Sequence, residues 1–135
     1  MKKVRFYIKN VLEVLCNKLT EASIGDKVYA EHRPNGIGEQ LQSLSVVSLP
    51  SEIINNGAYQ STQVYFHLIS RNREGGISTT DLLQSMLNKL IDLFPIKEDR
   101  FTLTSPRVVL NGDDGNGFTI WLVQASLVIN TTDRY

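Results

Sequence analysis

The sequence predicts an α+β domain, an antiparallel or mixed sheet of four to five strands with two helices packed on one face. Three observations carry that expectation. Apolar residues recur at helical spacing in two separated stretches, and alternating, β-branched-rich runs fill much of the remainder. The helical stretches are divided by blocks of strands instead of alternating with them one for one, which gives the order α-β-β-β-α-β-β and two layers around one core. At 135 residues the chain is a single domain, 1–135, long enough to bury roughly two-thirds of its extended surface.

From Val4 to Leu19 the apolar positions Val4, Tyr7, Ile8, Val11, Leu12, Val14, Leu15 and Leu19 fall at three- and four-residue steps, the stripe of an amphipathic helix. Thr20 to Lys27, with Gly25-Asp26, is its exit turn, and Val28 to Glu31 is a short strand. "HRPNGIGE", His32 to Glu39, is a loop by its proline and glycines. Leu44 to Leu49 is β-prone and closes at Pro50, which cannot donate into a ladder. Ser51 to Gly57 is a polar excursion. Tyr59 to Ser70 is the strongest strand of the first half, with Val64, Phe66 and Leu68 on one face and Tyr65, His67 and Ile69 on the other.

"RNREGG", Arg71 to Gly76, is a charged loop ending in glycine. Ser78 stands where a helix N-cap would, with Asp81 behind it as the acid of a shortened capping box. The second helix carries Leu82, Leu83, Met86, Leu87, Leu90, Ile91 and Phe94 on one broad face, and Pro95 stops it. Phe101 to Leu110 and Phe118 to Asn130 are two extended runs. The second begins apolar on both faces and turns one face polar towards its end.

Between those runs lies "LNGDDGNGF", Leu110 to Phe118, the densest cluster of glycine, Asn and Asp in the chain. A calcium loop of the helix–loop–helix kind needs a bidentate Glu at its twelfth position, and that position falls on Leu122 or Gln124 depending on the start. A phosphate cradle needs a helix opening after the glycines, and a strand follows here. Gly, Asn and Asp tolerate the positive φ of hairpin loops, so the favoured reading is a turn joining two strands of matching length, with adventitious calcium as the weaker alternative.

Composition narrows function. Hydrophobic residues are 41% and charged residues 21%, ordinary globular values. Lys plus Arg and Asp plus Glu are 14 each, so no net field attracts a polyanion, and specific nucleic-acid binding is not expected. No apolar stretch reaches the ~18 residues needed to span a bilayer, and polar residues interrupt the start, so neither membrane partner nor signal peptide is expected. Cys16 is the only cysteine, and its default role is a buried small hydrophobe.

No catalytic, cofactor-binding or metal-ligating residue is nominated. His32 and His67 lie on different elements without the further soft ligands of a zinc site. Asp92, Glu98 and Asp99 read as solvated surface, not as a paired acid and base, and no serine stands in a nucleophile elbow. Charge patterning says slightly more. Arg71, Arg73 and Glu74 precede the second helix and Lys97, Glu98, Asp99 and Arg100 follow it, mixed-sign clusters of the kind a ring subunit presents to its neighbours, although solvated loops remain the default reading.

Element by element, the chain resembles the small tail-terminator and tail-completion (head–tail joining) proteins of tailed bacteriophages. The likeness runs through the N-terminal helix, "KVYAE", "SVVSLP" with its polar insertion, "TQVYFHLIS", "RNREGG", "STTDLLQSMLNKLIDLF" and the closing hairpin. It implies a structural, non-enzymatic subunit that forms a homo-oligomeric ring, such as a hexamer, with no cofactor. Its implied partners are the tail tube protein below and the head-proximal connector protein above, and its implied place is the virion tail after synthesis in the host cytoplasm. Arg71, Arg73, Glu74, Asp113 and Asp114 are the candidate subunit contacts. The alternative is a small α+β ligand-binding or regulatory module using Tyr65 and His67. An enzyme assembled from His32, His67 and an acid stands third.

Overall fold

The computed structural model describes residues 8–31, 41–50, 52–55, 59–115 and 117–130. Helix α1 spans Ile8–Glu21 and buries Val11, Leu12, Leu15 and Leu19, the periodic stripe read from the sequence. Val4 and Tyr7, which that reading also assigned to the helix, lie outside the described residues. The helix ends in a Schellman motif: Ile24 N–H donates to Leu19 O at 3.0 Å and Ser23 N–H to Thr20 O at 3.1 Å, with Ser23 at φ 57°. Leu19 and Ile24, the apolar pair that usually accompanies this motif, are both fully buried.

The exit turn is then clamped onto the sheet. Ser45 Oγ donates to Ile24 O at 2.6 Å, while Asp26 Oδ2 accepts from the N–H groups of Gln42 and Ser43. Gly25, at φ 91°, comes so close that a Cβ on it would lie 3.0 Å from Leu44 Cα. These contacts fix where the first strand starts.

Seven strands form one mixed sheet: β1 (Lys27–Ala30), β2 (Ser43–Ser48), β3 (Ile54–Asn55), β4 (Tyr59–Arg71), β5 (Ile96–Lys97), β6 (Phe101–Asp113) and β7 (Phe118–Asn130). Their spatial order is β1-β2-β4-β7-β6-β5, with β3 beside the start of β4. β1 and β2 run parallel, and every other pairing is antiparallel. The α+β class and the two-helix layer stand, but the expected four to five strands become seven. The additions, β3 inside the polar excursion and β5 after the second helix, are two residues long, too short for any periodicity to show.

Helix α2 spans Thr80–Ile91 and buries Leu83, Met86 and Leu90. Thr79, not Ser78, is its N-cap residue, and it makes no capping bond. Its hydroxyl is committed to the end of β4, donating to Ser70 Oγ at 2.7 Å and lying 3.0 Å from Arg71 O. The helix start is therefore tied to the sheet, a tertiary bond that local capping rules cannot foresee.

Both helices bury their apolar stripes in one cluster with Val47, Val64, Phe66, Leu68, Val123, Ala125, Leu127 and Ile129, so they share one face of the sheet. Phe66 meets Phe94 edge-to-face at 6.2 Å. A smaller cluster of Leu44, Val46, Ile69 and Phe118 covers part of the opposite face, where Tyr29, Leu41 and Ile120 pack against it. That second cluster explains why β4 and the start of β7 are apolar on both faces.

Candidate interaction surfaces

The loop after β4, which the sequence reading bounded as Arg71 to Gly76, and the tip of the β6–β7 hairpin, singled out separately, meet at one end of the sheet. Asn72 joins them. Its N–H donates to Gly117 O at 2.8 Å, its Nδ2 to Asp113 Oδ2 at 2.8 Å, and its Oδ1 accepts from Thr119 Oγ1 at 2.5 Å. The hairpin expected from "NGDDGNG" is present, but β6 runs on through Asn111, Gly112 and Asp113, so the connection to β7 is shorter than the composition indicated. Asp113 Oδ1 accepts from Gly115 N–H at 2.6 Å and Asp114 Oδ1 from Phe118 N–H at 3.1 Å, which are side-chain-to-backbone bonds that close a turn.

Of the five candidate contact residues, three are engaged within the subunit. The two aspartates shape the turn. The Arg71 guanidinium lies 4.9 Å from the Phe118 ring centroid, and its Nε donates to Leu41 O at 3.0 Å. Arg73 and Glu74 are exposed. Beyond the other end of α2, in the turn between β5 and β6, Glu98 reaches Lys18 on α1 at 3.4 Å, a partly exposed pair.

Sequence reasoning missed a second surface on the same hairpin. Beyond Thr104, strand β6 has no neighbour on its outer side among the described residues, because β5 pairs only with Thr102 and Leu103. The ladder to β7 breaks between Thr104 and Arg107 and again between Leu110 and Gly112, which leaves an uninterrupted run, Arg107 to Leu110. Its residues Val108, Val109 and Leu110 are 39%, 36% and 67% exposed, so three consecutive apolar side chains stand on an open edge. The signal was present in "SPRVVL": Pro106 within a strand marks an edge, and three adjacent apolar residues put apolar surface on both faces.

Among the described residues the opposite edge of the sheet is open as well. Among the described residues nothing pairs with the outer side of β1, and between that strand and α1 lies a groove of about 780 Å³. Its floor and walls are mainly apolar, with Ile8, Leu12 and Cys16 from the helix and Val28 and Ala30 from the strand, and Glu31 stands at its end. Burial pushes the Cys16 thiol above its ordinary pKa, which suits a packing role better than a nucleophilic one.

On the outer sheet face, His67 is half-buried with Nε2 3.1 Å from Ser48 Oγ, and burial holds its imidazole pKa down. Tyr65, its neighbour on the same face, lines a separate shallow hollow of about 280 Å³ with Pro50 and Ile54. His32 lies outside the described residues. Among the described residues no group of three His, Cys, Asp or Glu side chains is arranged to hold a metal ion, and no helix is long and apolar enough to cross a membrane. The chain matches no protein-family model and no curated protein.

Proposed function

We propose that this protein is a structural subunit that assembles with copies of itself, a ring-forming tail-terminator or tail-completion protein of a phage or prophage that caps the tail tube and joins it to the head. The open apolar edge of β6 carries the reading. Unpaired on its outer side among the described residues, the run displaying Val108, Val109 and Leu110 between the two register breaks is a template for another chain. The resemblance of the element order read from the sequence to that phage family supports the specific assignment. Within it, the exposed Arg73 and Glu74 beside the hairpin form a polar surface at one end of the sheet, suited to contact with the tube protein or the connector.

The mechanism is complementarity of shape and interface, with no bond made or broken. Light scattering over a wide concentration range, followed by electron microscopy of any large species, tests it. A closed ring of about six copies, one of the cyclic assemblies symmetry permits, is the expected result. A protein that stays monomeric and also fails to cap purified tail tubes overturns the reading. A thermal shift on adding a metabolite to that monomer would move it to a small ligand-binding module centred on Tyr65 and His67.

A further inference from the structure

The two open edges stand at the same level in the sheet. Following the pairings across, Val28 on β1 lies in one row with Ser45, Leu68, Trp121 and finally Leu110 on β6. The next two rows run in the same way from Tyr29 to Val109 and from Ala30 to Val108. Side chains in one row point to the same face, so Val28, Ala30, Val108 and Leu110 all belong to the helix-bearing side. The strand directions also agree. β1 and β2 are parallel and three antiparallel steps lead on to β6, so β6 is antiparallel to β1.

We infer that the outer strand of the β6–β7 hairpin in one copy adds to the open edge of β1 in the next, with Val108 and Leu110 seated in the groove between α1 and β1. The inference rests on the ring-forming reading and specifies its contact. A copy related by rotation about an axis along the strands, without translation, brings Leu110 opposite Val28, Val109 opposite Tyr29 and Val108 opposite Ala30. The free run Arg107 to Leu110 and strand β1 are each four residues long, so the ladders match in length. The groove is apolar where Val108 and Leu110 arrive, and Arg107 falls beside Glu31, opposite in charge. Main-chain hydrogen bonds supply affinity and the alternate side chains supply register, as in strand addition generally. Since the two surfaces differ, the contact is heterologous, and in this register, which carries no axial step, it closes into a ring when the rotation divides a full turn.

Two variants test the contact by mass. Val108→Glu with Leu110→Glu spoils the hairpin and keeps the groove, whereas Ala30→Glu spoils the groove and keeps the hairpin. The substituted side chains are exposed in the lone subunit, so both variants are expected to melt with the parent. Each alone is expected to require more than about tenfold higher concentration to associate, because an unpaired charge must then be buried. Mixed in equal amounts they are expected to form a heterodimer and stop, since one intact hairpin then meets one intact groove. A charge exchange gives a second reading: Arg107→Glu weakens association, and adding Glu31→Arg restores it. Rings that form undisturbed in both variants overturn this contact while leaving the ring-forming reading in place. Mixtures that stay monomeric overturn it, because the intact hairpin and the intact groove then fail to meet. A parent protein monomeric at every concentration overturns it as well, and capping of tail tubes then judges the ring-forming reading separately.

Discussion

Replacing Gly25 by alanine is expected to destabilise the protein far more than the same replacement at Gly75. Both glycines hold a left-handed backbone, φ 91° and 84° respectively. An L-residue in that region costs about 1–2 kcal/mol, partly offset by about 0.4–1 kcal/mol from a stiffer unfolded chain. At Gly75 nothing lies within 4 Å of a new Cβ, so the net loss there is about 0.5–1 kcal/mol. At Gly25 the Cβ would sit 3.0 Å from Leu44 Cα, 3.1 Å from its carbonyl carbon and 3.2 Å from Ser45 N, all backbone atoms of a buried strand that cannot swing aside. Overpacking of that kind adds about 1–3 kcal/mol, for a total of about 1.5–4 kcal/mol. With a melting-temperature change of about 3–5 °C per kcal/mol for a domain of this size, Gly25→Ala is expected to lower Tm by about 5–20 °C and Gly75→Ala by about 5 °C or less. Urea and thermal unfolding followed by the fluorescence of Trp121 would measure both. Equal losses in the two variants would refute the reasoning, because they would mean that the close approach of the exit turn to β2 contributes nothing.

Two pH-dependent outcomes follow from burial. The Cys16 thiol, pushed up by desolvation, is expected to react with a disulfide reagent more slowly than a free thiol near neutral pH, with a rate still rising above the ordinary thiol range; a plateau below it would contradict this. For His67, the folded pKa lies below the unfolded value of about 6.5, so the unfolded chain takes up the proton first as pH falls. Stability from the neutral imidazole is therefore fully present above that value and is lost as pH drops through it towards the folded pKa. His67→Gln is expected to flatten the dependence in that window, and an unchanged urea midpoint profile between pH 7 and 5 would count against it.

The long, strongly patterned elements were legible in the sequence. The alternation of Val64, Phe66 and Leu68 set the inward face of β4, and the spacing of Val11, Leu12, Leu15 and Leu19 set that of α1. What stayed hidden depends on contacts between distant residues. Two-residue β3 and β5 exist only because β4 and β6 offer them a ladder, and Thr79 is drawn away from capping by Ser70 and Arg71. The surfaces were half legible. The loop after β4 and the hairpin tip stood out by composition, but Asn72, which fuses them, carried no motif. Nor does sequence place Val28 and Leu110 in one row, because that alignment is the product of four separate registers.

The placement of β7 bears on how the chain acquires its fold during synthesis. This strand follows every other described strand in the sequence, yet it lies between β4 and β6 near the middle of the sheet and buries Val123, Ala125, Leu127 and Ile129. Its partners on β4 are remote in the chain, with Tyr59 opposite Asn130, so the central ladder closes late. A nascent chain leaving the ribosome therefore carries Val64, Phe66 and Leu68 with β2 on one side but without β7 on the other until β7 emerges. A nonsense codon within β7 would remove the middle of the sheet and not its margin, and what remained would be a substrate for chaperones and proteases, not a shortened version of the fold.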